Sequence, residues 1–179
     1  MKRLPAIALG AWVIIVLVLA GAAQAGLRYN GSPSVPTGFY RASAAPAAVG
    51  DYVLVCLPLS ATVEQAQKRG YLSVGSCPGR VSELIKVLAA QHGDRISINA
   101  SGVAINGQLW PDSAQKPADA QARPLPALRL ERNLELDEVL LLSDRCSSGF
   151  DSRYFGPIDH RGLRGTARPV LLWRDLPLL

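Results

Sequence analysis

The sequence predicts a mainly β domain headed by one apolar helix, and three observations carry that reading. Short apolar runs of strand length recur from Gly38 onward, separated by Pro, Gly and small polar residues. Beyond the N-terminus only the stretch 60–68 carries both a helix-start and a helix-stop signal. At the head of the chain, Lys2 and Arg3 precede 24 residues, Leu4 to Leu27, without a charge. Many short strands with few helices indicate a coiled or barrel-like sheet. No internal repeat is visible.

Taken in order, the charge-free run is long enough for a transmembrane helix, which needs roughly 20 apolar residues. The basic pair before it places the N-terminus on the cytoplasmic side and everything after Arg28 across the membrane. Residues 1–27 are therefore read as an anchor. The rival is a cleaved signal sequence, with Ala23-Gln24-Ala25 as the cleavage signal. The length of the run favours the anchor, and both readings export the domain 28–179.

Gly31 to Pro36 must be extended or turned. Gly38 to Arg41 and Asp51 to Leu57 read as strands. Ser60 or Thr62 caps a short helix that runs through Lys68 and stops at Gly70. Tyr71 to Arg80 reads as a loop and Val81 to Leu88 as a strand. Arg95 to Asn99 and Val103 to Ile105 form a hairpin around Ala100-Ser101-Gly102. An irregular insertion, about 110–136, carries Pro111, Pro117, Pro124 and Pro126; loops of that length are usually functional. Strands resume at Glu138 to Leu142 and at Val170 to Trp173.

Composition narrows the function. With 179 residues there is room for one ordinary domain plus an appendage, and 49% hydrophobic against 18% charged residues excludes a wholly disordered chain. The net charge of +5 is spread out, and its best cluster, Arg161, Arg164 and Arg168, has no interleaved aromatics. A nucleic-acid partner is not expected. Three cysteines in an exported domain allow one disulfide, with Cys56 and Cys77 the natural pair and Cys146 left over. His92 and His160 are far apart and no CxxC occurs, so neither a zinc site nor any other cofactor is expected.

Lys86 stands inside the apolar run Leu84-Ile85-Lys86-Val87-Leu88. A buried ammonium is costly unless paired or neutral, and burial favours the uncharged amine, which can act as a general base. A serine becomes a nucleophile when such a base stands beside it. Ser34, in Ser34-Val35-Pro36-Thr37-Gly38 directly after the anchor, is the candidate. Taken alone, each has a plainer explanation: a linker serine, and an edge-strand lysine with its head in water. A third stretch, Ser143 through Pro157, raises both, because it is dense in small and polar groups and contains Asp151-Ser152-Arg153.

With these pieces in order, the chain resembles bacterial type I signal peptidases, and within them the conjugative-transfer branch of the TraF type. Ser34 to Gly38 is similar to the serine box, and Leu84 to Leu88 through Gly93-Asp94 to the lysine box. Val103 to Gly107 and Ser143 to Gly156 are similar to the boxes that follow. The resemblance implies a signal-peptidase-like catalytic domain and a membrane-anchored serine endopeptidase with a Ser34/Lys86 dyad. Its partners would be a pilin precursor or other exported protein, and membrane lipid. Its place would be the bacterial inner membrane, with the catalytic domain in the periplasm. It also implies that the Ser34 N–H and the Ser32 hydroxyl are oxyanion donors, and that Asp151 and Arg153 support the site.

Where relatives place a serine that hydrogen-bonds the lysine, this chain has Gly149; Ser147, Ser148 or a water is expected to substitute. In this branch the pilin's own amino group can resolve the acyl-enzyme and give a cyclic product. Two alternatives stand beside this reading. One is a general signal peptidase; the other is a non-catalytic β-domain of an envelope secretion complex.

Overall fold

The computed structural model describes residues 4–144 and 146–173; within the first helix, the side chains of residues 4–8, 11, 18, 19, 22 and 23 lie outside that description, as do Lys2 and Arg3. The leading helix α1 (Leu4–Gln24) has no charged residue, and Leu9 and the run Trp12 to Leu17 are all exposed on it. Among the described residues, no helix is long and apolar enough to cross a membrane. The helix stops at Gln24 rather than Leu27. The chain then turns through Ala25-Gly26 into β1 (Leu27–Asn30), an edge strand paired with β2 (Gly38–Ser43). That strand was missed because only four residues form it and only Asn30 is buried.

The rest is built from antiparallel strands. A seven-stranded sheet runs in the order β1-β2-β12-β3-β5-β10-β11, with β3 at Tyr52–Val55, β5 at Leu84–Ala90, β10 at Glu138–Leu142, β11 at Ile158–Asp159 and β12 at Leu163–Leu172. A four-stranded sheet runs β8-β7-β6-β9, from β6 (Arg95–Asn99), β7 (Gly102–Ile105), β8 (Gln108–Leu109) and β9 (Leu130–Asn133). The predicted hairpin is β6–β7, with Asn99 opposite Gly102.

Period-two alternation sorts the strands' side chains between layers. Val53, Val55, Leu88 and Leu141 meet Val63 and Ala66 of helix α2 (Ala61–Lys68) on one side. Leu54, Ile85 and Val87 meet Val35, Tyr40 and Ala167 on the other. A third cluster, including Ala90, Leu140 and Leu142 with Ile96, Ile98 and Val103, joins the two sheets. Ser60 caps α2 by accepting from the Val63 N–H. The disulfide Cys56–Cys77 ties the end of β3 to the short strand β4 (Val74–Cys77), with Cα atoms 5.4 Å apart.

Several boundaries differ from the expectation, among them β5, which runs Leu84–Ala90 where Val81 to Leu88 was expected. Tyr71 to Arg80 contains β4 and a single 3-10 turn, not only loop. The insertion ends before Leu130, because 130–133 adds to β6 as β9, with Arg95 and Glu131 joined at 2.8 Å. The final strand β12 begins at Leu163 and sits between β2 and β3. That strand contains Gly165 and Pro169. Both lie where the pairing register shifts, the places at which a strand tolerates such residues.

Candidate active site

Ser34 sits in the tight turn between β1 and β2, and that turn is wired from within. The Asn30 amide donates to the carbonyls of Ser32, Val35 and Pro36 at 2.8, 3.1 and 3.2 Å. Its Oδ1 accepts the Ser32 N–H at 3.1 Å. The Tyr40 hydroxyl donates to the Pro36 carbonyl at 2.5 Å, and buried Val35 pins the turn to the core. Gly38 closes it at φ +152°, where a Cβ would lie 2.2 Å from the Leu171 carbonyl, so only glycine fits.

Lys86 comes to this turn from β5. It pairs with Val53 across β3 and shares a face with Leu84 and Leu88, as the alternation requires. It is 2% exposed. Its Nζ donates to Ser34 Oγ at 2.8 Å and to Ser143 Oγ at 3.2 Å. Burial lowers the Lys86 pKa to about 8, with Asp151 pulling it back up and Arg153 pushing it further down. The sequence offered no acid near Lys86 on its own strand; the fold brings Asp151 from elsewhere.

Ser32 stands beside Ser34, with hydroxyl oxygens 3.0 Å apart, and accepts the Ser34 N–H at 3.3 Å. Asp151 and Arg153 lie behind the lysine, where Asp151 caps the short helix α3 (Ser152–Phe155). One Asp151 oxygen accepts from the Ser143 N–H at 3.0 Å and from Arg153 Nη2 at 2.8 Å. The other accepts from Arg153 Nε at 2.7 Å. Arg153 also donates to the carbonyls of Asp112, Cys146, Ser147 and Gly149. Burial disfavours its charge, and Asp151 outweighs that and raises its pKa.

Of the expected substitutes for a serine at 149, neither Ser147 nor Ser148 hydrogen-bonds Lys86. The Ser147 carbonyl serves Arg153, and the Ser148 hydroxyl faces Cys146 Sγ at 3.4 Å. Ser143 takes that place. It had been seen only as part of a polar stretch, because its position depends on pairing: β10 sets Leu142 opposite Val87, which carries the next residue to the level of Lys86. Asn30 and Tyr40 were missed as well. An Asn directly before the turn, accepting the N–H two residues on, is a visible Asx signal, whereas Tyr40 has none.

The site opens into a cleft of about 1010 Å³, lined among others by Leu72, Leu84, Phe150 and Tyr154. Asp119 to Gln121 of the insertion line it as well. Chemically, the arrangement is a buried amine of lowered basicity on a serine hydroxyl, beside two N–H and O–H donors, at the floor of an open groove. That can activate the hydroxyl as a nucleophile.

Comparison with known proteins bears on the same chemistry. The family described as signal peptidase, peptidase S26, matches residues 2–173. Over 176 residues the chain is 40% identical to the plasmid transfer protein TraF of Escherichia coli, covering 97% of this chain and 98% of that protein. It is 38% identical over 163 residues to the conjugal transfer protein TraF of Agrobacterium tumefaciens (strain 15955), covering 90% and 91%. It is 37% identical over 150 residues to the probable conjugal transfer protein TraF of Sinorhizobium fredii (strain NBRC 101917 / NGR234), covering 83% and 78%. The crystal structure of a signal peptidase I from Enterococcus faecalis V583 covers 69% of the chain and is itself 98% covered, at 14% identity and a TM-score of 0.40, too distant to define a shared fold. The chain belongs to the signal peptidase family, peptidase S26, alongside the TraF proteins of conjugal transfer.

Proposed function

We propose that this protein is a membrane-anchored serine endopeptidase that uses Ser34 and Lys86 to process an exported propilin during conjugative transfer. The observation that carries the reading is the 2.8 Å contact between a nearly dry lysine and the hydroxyl of Ser34, which lines an open cleft. The relatives' names supply the conjugative setting.

In this reading neutral Lys86 accepts the Ser34 proton as Oγ attacks the carbonyl carbon of the scissile bond. The oxyanion is received by the Ser34 N–H and the Ser32 O–H, once the substrate's carbonyl oxygen displaces the contact in which the Ser34 N–H donates to Ser32 Oγ. The Lys86 ammonium then protonates the departing amine, leaving an ester on Ser34. Neutral again, Lys86 deprotonates the next nucleophile, either water or the amino group of the pilin itself, which closes a ring. Ser143 and Ser34 both accept from the lysine, so it can exchange protons with the reacting oxygen without swinging away.

The anchor role of α1 is supported by its charge-free sequence and by exposed apolar side chains from Leu9 to Leu17. It puts the catalytic domain on the periplasmic face of the inner membrane, close to where an exported precursor leaves the bilayer. An extended precursor can lie along the cleft beside Leu84 and be cut next to small residues.

The test is incubation of the full-length protein in detergent micelles with a propilin precursor, beside Ser34→Ala and Lys86→Ala. We expect cleavage by the wild type alone. Cleavage by a folded Ser34→Ala protein would end the dyad reading, and a broad range of cleaved exported precursors would favour a general signal peptidase.

A further inference from the structure

We propose that Ser143 is the positioning residue of Lys86, and that residues 143 and 149 form an exclusive pair in which only one can carry a side chain into the space behind the lysine. The proposal rests on the dyad reading and names a part of that machinery the chain has rearranged.

A neutral amine that offers its lone pair to Ser34 must have its two N–H groups directed elsewhere. Among the described residues the hydrogen-bond partners of Nζ are the hydroxyls of Ser34 and Ser143. Ser143 Oγ lies 3.2 Å from Nζ. Its own backbone is fixed at both ends. The Ser143 N–H donates to Asp151 at 3.0 Å, and its carbonyl accepts from Trp110 Nε1 at 3.1 Å. The residue is 4% exposed. A hydroxyl held this way sets the lysine's direction.

The second observation is independent of that hydrogen bond. A Cβ placed on Gly149 would lie 2.1 Å from Ser143 Oγ and 3.0 Å from Ser143 Cβ. The backbone of Gly149 is itself held, because its carbonyl accepts from Arg153 Nη2 at 3.1 Å. With both backbones held, the Ser143 hydroxyl would have to rotate away, so a side chain at 149 and that hydroxyl compete for one volume. Gly149 is glycine here for lack of room rather than for backbone freedom. A serine at 149 would fit once position 143 lost its side chain, and its hydroxyl would then occupy the same space near Lys86.

The charged or titratable groups acting on Lys86 are Asp151 and Arg153 of the α3 cap and Cys146 of the preceding loop. None is altered by changing Ser143. Loss of the Ser143 hydroxyl removes an acceptor for the ammonium and so disfavours the charged form. It should shift the Lys86 titration to lower pH while slowing the reaction, a combination that general loosening does not produce.

The experiment uses the full chain in detergent micelles as wild type, Ser143→Ala, Gly149→Ser and the double exchange Ser143→Gly/Gly149→Ser. One readout is kcat and KM for a propilin precursor against pH. The other is the titration of lysine labelled with carbon-13 at Cε, with Lys86 assigned by its absence from Lys86→Ala. Ser143→Ala should lose about tenfold to a hundredfold in kcat with KM little changed. Its Lys86 midpoint should fall by about half a pH unit. Gly149→Ser should lose activity or folded yield, and the double exchange should recover most of what that change removed.

An unchanged kcat and midpoint in Ser143→Ala, or a double exchange no better than Gly149→Ser alone, would overturn the proposal. If Ser34→Ala cleaves as well as wild type, the dyad reading fails instead. The labelled-lysine titration then still decides whether Ser143 holds Lys86.

Discussion

Two irregular stretches of this chain are each held by an aspartate and an arginine, and they are held differently. In the turn between β10 and α3, Asp151 and Arg153 pair at 2.7 Å with each side chain 1% exposed. In the insertion, Asp119 and Arg123 pair at 2.6 Å, with the arginine side chain 37% exposed. The first pair touches almost nothing but backbone: the Ser143 N–H and the carbonyls of Asp112, Cys146, Ser147 and Gly149. The second accepts the Gln121 and Arg123 N–H groups through Asp119 and also leans on Tyr71, whose hydroxyl donates to Asp119, and on the Arg69 carbonyl. The same two charges thus build a rigid, dry cage behind Lys86 and a wetter brace at the cleft. Burial, not pairing, separates them. Removing one member of a buried pair strands the other without solvent, whereas water can replace an exposed partner.

The largest expected effect tests what the cage is for. Lys86→Arg should lower precursor cleavage by at least about a thousandfold, because guanidinium stays protonated and cannot accept the Ser34 proton. In the wild type the neutral form of Lys86 grows as pH rises through its lowered pKa of about 8. Cleavage should therefore climb along a single basic limb centred there, and fall away below it. A flat profile from pH 6 to 9, or an active Lys86→Arg protein, would mean the cage serves no base.

Next comes Asp151→Asn. Its side chain accepts from the Ser143 N–H and from Arg153, so the change leaves a buried guanidinium short of its counter-charge. The cost should be about 3–5 kcal/mol in chemical or thermal unfolding, with a lower folded yield. Molecules that do fold should keep measurable activity. If the variant unfolds like wild type yet is as inactive as Ser34→Ala, Asp151 belongs to the chemistry and not to the support.

Asp119→Asn should have the smallest effect: the Asp119 side chain is itself only 8% exposed, but the Arg123 guanidinium it would leave is 37% exposed and can be hydrated. Its melting temperature should fall by less than that of Asp151→Asn. Because Asp119 lines the cleft, KM for the precursor should rise more than kcat falls. A destabilisation equal to that of Asp151→Asn would erase the distinction between the two loops.

Some of this was readable residue by residue. The charge-free run before Arg28, the capped helix after Ser60, the β6–β7 hairpin and the place of Lys86 within an apolar strand all follow from local pattern. What was read wrongly had a weak or misleading local signal. Strand β1 is short and exposed, β9 hides at the end of a Pro-rich insertion, and β12 carries Gly165 and Pro169 at its register shifts. Propensity counts such residues against a strand, and only pairing with neighbours on both sides overrides it.

The candidate site divides along the same line. The residue types in Ser34 to Gly38, around Lys86 and in Asp151-Ser152-Arg153 sufficed by themselves to nominate a nucleophile, a base and a support, because desolvating a lysine in an apolar run is a local property of sequence. That the Nζ reaches Ser34 Oγ across 52 residues is a property of the sheet. So is the choice of Ser143 over Ser147 or Ser148, since hydroxyls a few residues apart are equivalent in sequence until strand register decides which one faces the lysine. The meaning of Gly149 came from structure alone. Steric exclusion acts between atoms that share a volume, and residues 143 and 149 share one only after the chain has folded back on itself.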